Sequence, residues 1–273
     1  MPEGPEIRRA ADAVARVLAG NEIVEVGFGL RRLRRYRRAL EGAVVTAVDT
    51  RGKAMLTRFD NGLTLYSHNQ LYGRWYTGER GYTPETGRSL RVALHTATHS
   101  ALLYSASDIE VLNDAGVARH PFLSGLGPDV LDGDLAAGTV AERLRMPGFR
   151  GRALASLYLD QGFLAGIGNY LRSEILFVAG LEPSLRPGEL SPVDLARLAR
   201  ATLSVSRRSY RTAGVTVTRD LEQRLCAAGE AFEDYRFWVF GRDGLPCRRC
   251  GTTVVRYRAS SRGLYVCPSC QAR

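Results

Sequence analysis

The chain has 273 residues, 45% of them hydrophobic, and a formal net charge of +10 from 38 lysines and arginines against 28 aspartates and glutamates. That length allows one large domain or two to three small ones, and no apolar run reaches the length of a membrane-spanning helix. The positive excess points to a polyanionic partner, because a basic surface draws in phosphates at long range; the plainer reading is charge kept for solubility.

The chain opens MPEGPEIRR. Glu3, Pro5 and Glu6 suit the first turn of a helix, where proline gives up no hydrogen bond and carboxylates face the positive end of the dipole. Ile7, Ala10, Ala11, Val14, Val17 and Leu18 form one stripe at helical spacing, and Gly20 is the expected stop. No apolar leader segment precedes the helix, so the expected location is the cytoplasm. RRLRRYRR, Arg31 to Arg38, places six arginines in eight residues. Leu33 and Tyr36, three apart, predict a short helix or turn with one anchored side. The arginines read as a phosphate-contacting surface or, more plainly, as a solvated face.

From Glu22 to about Ser107 the chain reads mostly as strands. EIVEV, AVVTAVDT, AMLTRF, LTLYSHN and LRVALHT alternate or are rich in β-branched residues. Asp60-Asn61-Gly62 is a hairpin turn, since Asn-Gly tolerates positive φ at both centres. Arg51-Gly52 is a second turn, followed by Lys53. Even spacing of strands and turns predicts a sandwich or barrel-like β domain. In HPFLSGLGPDVL, Pro121, Gly125, Gly127 and Pro128 break regular structure and mark a linker. Beyond it, Val140 to Met146, Ala153 to Gln161, Tyr170 to Ala179 and Pro192 to Ser206 carry apolar residues at helical spacing. Ser191-Pro192 is an N-cap followed by proline at the first helical position. Gly214 to Tyr235 carries a weak signal and reads as a loop. At the end, TTVVRYR and GLYVC predict a hairpin with ASSRG at its tip.

Four of the five cysteines form one pattern: Cys247 and Cys250, then sixteen residues, then Cys267 and Cys270. Two C-x-x-C pairs at this separation predict a tetrahedral zinc site, each pair turning two thiolates toward one metal. Two disulfides are the alternative, disfavoured in a reducing compartment. Cys226 is left over and reads as a buried thiol.

Three further constellations carry chemistry. DQGFLAGIGNYLRSE, Asp160 to Glu174, places glycines before a helix start, where backbone N–H groups can approach a phosphate; Asn169 there can cap the helix or donate to a phosphate oxygen. It is neither a P-loop nor a dinucleotide fingerprint. A helical hairpin that needs small residues is the plainer reading. In SHNQLYGRWY, Gln70, Leu71 and Tyr72 precede Gly73 and fall at a strand end or loop tip. An amide, an aliphatic and an aromatic group can fill a gap in a base stack, but on its own the stretch favours Leu71 and Tyr72 as core. The third is Pro2 with Glu3. An α-amino group has a pKa near 8 against about 10.4 for lysine, so far more of it is unprotonated at neutral pH. A proline amine that attacks an aldehyde-level sugar carbon gives an iminium that stays cationic and favours β-elimination. Glu3 can serve as general acid or base. Lys53 can place a positive charge near a phosphate or sugar hydroxyl, or is simply a solvated lysine beside a turn.

Taken together these stretches resemble the bacterial endonuclease VIII branch of the formamidopyrimidine-DNA glycosylase superfamily. The resemblance is carried by PEGPEIRRAAD, RGKAMLT, LTLYSHNQLYG, LLYSASDIE, HPFL with GPDVL, LDQGFLAGIGNYLRSEIL, and the CxxC…SSRGLYVCPSC end, which span residues 2 to 270. It implies an α+β multidomain fold. An N-terminal helix and catalytic β-sandwich would occupy 1–120, a linker 121–131, a helix-two-turn-helix domain 132–235 and a zinc β-hairpin 236–273. It implies that Pro2, freed of Met1, is the Schiff-base nucleophile, that Glu3 is the proton donor, and that Lys53 assists β-elimination. Arg262 would serve δ-elimination and grip phosphate. Gln70, Leu71 and Tyr72 would be the wedge that enters the duplex, Asn169 a phosphate ligand and Glu6 a further acid near the sugar. One structural zinc and damaged double-stranded DNA are the implied cofactor and partner, with no membrane and a monomeric state. Two departures stand out. Gly125 lies where a family member carries a DNA-contacting arginine, so that contact is lost or supplied elsewhere, and Arg207 to Tyr235, a region that influences lesion choice, matches loosely.

The reading that follows is removal of oxidised pyrimidines such as thymine glycol and dihydrouracil, with strand cleavage by β,δ-elimination. Its nearest rival is formamidopyrimidine-DNA glycosylase activity on 8-oxoguanine; PEGPEIRR and the QLY wedge favour the first. A rival of another class is a non-catalytic zinc-dependent protein that binds damaged DNA with the steep salt dependence of phosphate contacts.

Overall fold

In the computed structural model, which describes residues 2–259 and 261–272, the first helix runs Gly4–Leu18. Its start is a reciprocal cap. The Glu3 backbone N–H donates to the Glu6 carboxylate at 2.9 Å, and the Glu3 carboxylate accepts from the Glu6 backbone. The cap satisfies two of the donors that a helix start leaves unpaired. Ile7, Ala11, Val14 and Leu18 form the buried stripe.

Two compact units follow from the chain, Met1–Gly125 and Leu126–Arg273. The first holds two four-stranded antiparallel sheets. One is ordered β2 (Val45–Arg51), β3 (Ala54–Phe59), β4 (Leu63–His68), β8 (Asp108–Asn113). The other is ordered β1 (Glu25–Phe28), β6 (Leu90–His95), β7 (His99–Tyr104), β5 (Arg74–Glu79). Met55, Phe59, Leu65 and Ile109 from the first sheet share one core with Val26, Trp75, Leu94 and Leu103 from the second, and with the helix stripe. The expected sandwich is therefore present. β5, β7 and β8 stand where the sequence pattern singled out no strand.

The two tight turns differ. Gly52, at φ 61°, is the first of the two residues joining β2 to β3, the position where a type II′ turn requires glycine. Between β3 and β4 only Gly62 is left-handed, at φ 78°, so the expectation of positive φ at both Asn61 and Gly62 is corrected. The loop has three residues, and Asn61 uses its side chain instead, accepting from Leu63 N–H at 3.1 Å and donating to the Ala39 carbonyl at 2.6 Å. The arginine run forms a 3-10 helix, Arg31–Tyr36, continued by one α turn, Arg37–Leu40, with Leu33 and Leu40 as buried anchors. Pro121–Ser124 is a single helical turn inside the stretch read as irregular, its proline at the first helical position.

The second unit packs Ala137–Arg145, Asn169–Ala179 and Pro192–Arg211 around Leu144, Leu157, Phe163, Leu171, Ile175 and Leu198. Ser191 caps the long helix by accepting from Asp194 N–H at 3.1 Å. The helix expected over Ala153 to Gln161 shortens to Leu154–Leu157, because Asp160 accepts from Gly162 N–H at 2.8 Å and turns the chain. The loop expected over Gly214 to Tyr235 instead contains helices Arg219–Ala227 and Phe232–Tyr235. Only Leu221 of these is buried, which is why the apolar period was faint. Cys226 is exposed, not buried: Leu221 and Leu225, one turn apart, take the packed face, and Cys226 falls outside it. The predicted hairpin is formed by β9 (Val255–Ala259) and β10 (Arg262–Val266), paired antiparallel; of its tip, Ser260 lies outside the described residues. Among the described residues no helix is long and apolar enough to cross a membrane.

Candidate active site and zinc centre

In the first unit, Pro2 is half-buried and directly precedes the capped helix, so the chain start is held by Glu3, which is buried. Glu6, bonded to the Glu3 backbone, shares that position. Lys53, at the β2–β3 turn, is 8% exposed, which overturns the solvated reading. It lies close to His68, the last residue of β4. Burial holds the His68 imidazole below its usual pKa, Lys53 adds to the depression and Asp108 opposes it.

His68 also leads to the next group. Its Nδ1 accepts the backbone N–H of Gln70 at 3.1 Å. Leu71 and Tyr72 are 56% and 67% exposed, so their assignment to the core is corrected. Core placement fails because the loop leaves one sheet at β4 and enters the other at β5, and its tip faces neither interior. Gly73 closes the turn with its N–H on the Asn69 carbonyl at 2.7 Å, where a Cβ would sit 2.6 Å from that oxygen. Arg88 donates to the Tyr72 carbonyl.

In the second unit, Asn169 opens helix Asn169–Ala179 and its amide donates to the Gly263 carbonyl at 2.8 Å, next to Arg262. Arg262 is exposed at the start of β10. Asn169 and the hairpin are held together by Arg172, which no motif assigned. Fully buried, Arg172 donates to Asn169 Oδ1 at 2.6 Å, to the Ala155 carbonyl at 2.8 Å and to the Gly263 carbonyl at 3.3 Å.

Glu174 was missed as well. One carboxylate oxygen accepts from Val239 and Phe240 N–H, both at 2.9 Å, and the other from Trp238 N–H at 2.8 Å and the Thr216 hydroxyl. Burial pushes its pKa up against those donors. The available signal was two charges, Arg172 and Glu174, within an otherwise apolar run. Glu174→Ala leaves one buried and two part-buried N–H groups without their carboxylate partner and is expected to cost on the order of 3 kcal/mol or more, read as a fall in Tm of about 6–12 °C for a chain of this size; an unchanged melt would show that water replaces the carboxylate.

The sulfurs of Cys247, Cys250, Cys267 and Cys270 all lie within 4.8 Å of one another. Cys247 and Cys270 are 3.9 Å apart and Cys250 and Cys267 3.4 Å. A tetrahedral site with Zn–S of about 2.3 Å requires about 3.8 Å between sulfurs. Arg249 N–H and Cys270 N–H each point at a cysteine sulfur at 3.4 Å, which suits thiolates. The donor set fits one structural Zn²⁺, as expected from the spacing. Phe177, Val239 and Val254 pack beside Cys247 and Cys267.

A helix-started β-sandwich, a glycine-turned helical unit and a four-thiol hairpin define the formamidopyrimidine-DNA glycosylase fold. Residues 1–107 match the model of the formamidopyrimidine-DNA glycosylase N-terminal domain, residues 126–220 that of its H2TH domain, and residues 244–273 the zinc finger found in FPG and IleRS. A Lactococcus lactis Fpg bound to N7-benzyl-Fapy-dG containing DNA has the same fold, with a TM-score of 0.81 at 19% identity over 100% of each chain. A second structure, of the Lactococcus lactis enzyme non-covalently bound to DNA containing an AP site, gives 0.80 at 18% identity over 99% of this chain and 100% of that one. The chain belongs to the endonuclease 8 family: it is 50% identical to Endonuclease 8 of Escherichia coli and 49% identical to that of Shigella sonnei, in each case over 99% of this chain and 100% of the relative.

Proposed function

We propose that this DNA glycosylase and abasic-site lyase of base-excision repair works through Pro2, after loss of Met1, on oxidised pyrimidines in duplex DNA. Met1 lies outside the described residues. The Pro2 nitrogen attacks C1′ of the damaged nucleotide, and the glycosidic C1′–N bond breaks with its electron pair leaving on the base. Glu3 supplies the proton that opens the sugar and lets the base go, and Pro2 remains bound to C1′ as a cationic iminium. Loss of a proton from C2′ then expels the 3′ phosphate, and a second elimination expels the 5′ phosphate. Water releases Pro2. Lys53 assists the first elimination and Arg262 the second, while Asn169 holds a phosphate and Glu6 fixes Glu3. Gln70, Leu71 and Tyr72 fill the gap left by the extruded base.

The observation that carries this reading is the start of the first helix. The buried Glu3 carboxylate directly follows Pro2, and a reciprocal cap with Glu6 pins the Glu3 backbone. The exposed Leu71 and Tyr72, which would otherwise be an unexplained apolar tip, support the wedge. The division into 1–120, 121–131, 132–235 and 236–273, a monomeric state and a cytoplasmic location belong to the same reading. So does the DNA contact missing at Gly125, which is lost or supplied elsewhere.

Kinetics on matched duplexes test the substrate. Thymine glycol should turn over at least tenfold faster than 8-oxoguanine, and the reverse order would transfer the chain to the 8-oxoguanine reading. Arg262→Ala should leave base release within about threefold and stop the strand break at the β-elimination product. A gel that still shows mainly the δ product would remove Arg262 from that step.

A further inference from the structure

Gln70 is left-handed at φ 51°, a conformation that residues with side chains seldom adopt. It begins the exposed Gln70–Tyr72 tip of the crossover from β4 to β5. A second crossover, from β7 to β8, runs beside it and carries another left-handed residue, Ser105 at φ 56°. The two are in close contact: a Cβ on Gly73 would lie 3.0 Å from the Ala106 methyl. Apart from the His68 contact, Gln70 is tied to this second crossover. Its Oε1 accepts from the Ser107 hydroxyl at 2.9 Å. The Ser107 carbonyl in turn accepts from Arg32 Nη2 at 2.9 Å, and the same nitrogen reaches the Ile109 carbonyl at 3.0 Å. Arg32 belongs to the arginine-rich 3-10 helix, whose position is set by buried Leu33.

We propose that Arg32 and Ser107 are positioning residues that hold the Gln70-Leu71-Tyr72 tip in the shape that enters the duplex. This rests on the wedge role given to that tip. Leu71 and Tyr72 are exposed and have little packing of their own to fix them. An apolar tip that must enter a base stack loses less freedom on insertion when it is already ordered. The guanidinium nitrogen directs its two hydrogens in fixed, planar directions, so one arginine can clamp the Ser107 carbonyl of the second crossover and the Ile109 carbonyl at the start of β8. Ser107 then passes that order to Gln70. One residue of the arginine run is thereby given an internal task, distinct from phosphate contact.

The test uses the full-length zinc-loaded enzyme and duplexes with thymine glycol beside 2-aminopurine, whose fluorescence reports unstacking when the tip inserts. Ser107→Ala and Arg32→Gln should slow the fluorescence rise and single-turnover excision about five- to tenfold, the scale of one lost hydrogen bond or two. Ser107→Ala should leave cleavage of a single-stranded abasic site, which needs no insertion, within about twofold. In a Gln70→Ala background Ser107→Ala should add nothing, because its effect passes through Gln70. Arg32→Gln should keep the salt dependence of duplex binding, whereas a lost phosphate contact would lower the slope by about one. Leu71→Ala separates the two readings. If it abolishes the fluorescence rise while Ser107→Ala and Arg32→Gln match the parent, the positioning role is wrong and the wedge stands. If Leu71→Ala also matches the parent, the wedge role falls and the positioning role with it. Additive effects of Ser107→Ala and Gln70→Ala, or a lowered salt slope in Arg32→Gln, likewise overturn the proposal.

Discussion

An enzyme that retains Met1, or carries an N-terminal tag, forms no borohydride-stable adduct with abasic DNA and leaves the strand uncut. The expected loss is at least a thousandfold, because the secondary amine that would form the iminium is then an amide nitrogen with no nucleophilic lone pair. Mass spectrometry of the trapped adduct after proteolysis should place the sugar remnant on Pro2. Glu3→Gln separates the two roles at the chain start. It removes the proton donor but keeps a side-chain oxygen for the helix cap, so base release should fall at least a hundredfold while the melt changes little. Met1-retaining protein that cleaves as fast as the processed form would end the Schiff-base mechanism. The buried position of Glu3 gives this prediction its sharpness, since the side chain that caps the helix is the one proposed to supply the proton.

Stripping the metal, or Cys247→Ser, should unfold the C-terminal hairpin and with it remove the DNA affinity proposed for Arg262. Structural zinc supplies about 10–16 kcal/mol to small zinc modules at neutral pH. The buried apolar residues around this site are Phe177, Val239, Cys247, Val254 and Cys267. Each such side chain contributes about 1.5–3 kcal/mol at most, and two of the five are metal ligands. Limited proteolysis should open sites between residues 244 and 272 in the stripped protein, while the sandwich of the first unit stays resistant. Affinity for abasic duplex should drop by about a hundredfold or more and return when zinc is restored. Unchanged affinity after complete removal of the metal would take the hairpin out of the DNA interface.

Several parts of the molecule were legible before any coordinates. The helix stripe from Ile7 to Leu18, the Ser191 cap, the glycine at position 52 and the four cysteines each depend on neighbours within a few residues or on a spacing that only one geometry satisfies. Their physics is local. The local pattern alone places Leu71 and Tyr72 in the core, because an apolar pair beside a glycine looks the same in a core strand and on an exposed tip. What separates the two is the crossover between sheets, which depends on β5 and β8 being where they are. For Lys53 the local pattern errs in the opposite sense, toward a solvated lysine: the turn is local, but its burial comes from whatever packs over the turn. Arg172 and Glu174 carry no local signature because, Asn169 apart, their partners are 17 to 91 residues away, at Ala155, Thr216, Trp238 to Phe240 and Gly263.

The sequence by itself determined the first helix, the Ser191 cap and the zinc ligands, and, through its resemblance, the class of fold and the family. The first three follow from periodicity, capping chemistry and ligand spacing, all of which are written along the chain. Only the tertiary structure decided which polar groups are buried, which apolar groups are left outside, and that Arg32 reaches Gln70 through Ser107. Those outcomes depend on which distant segments meet, and a buried charge or a clamped loop exists only when the donors and acceptors around it have been brought together.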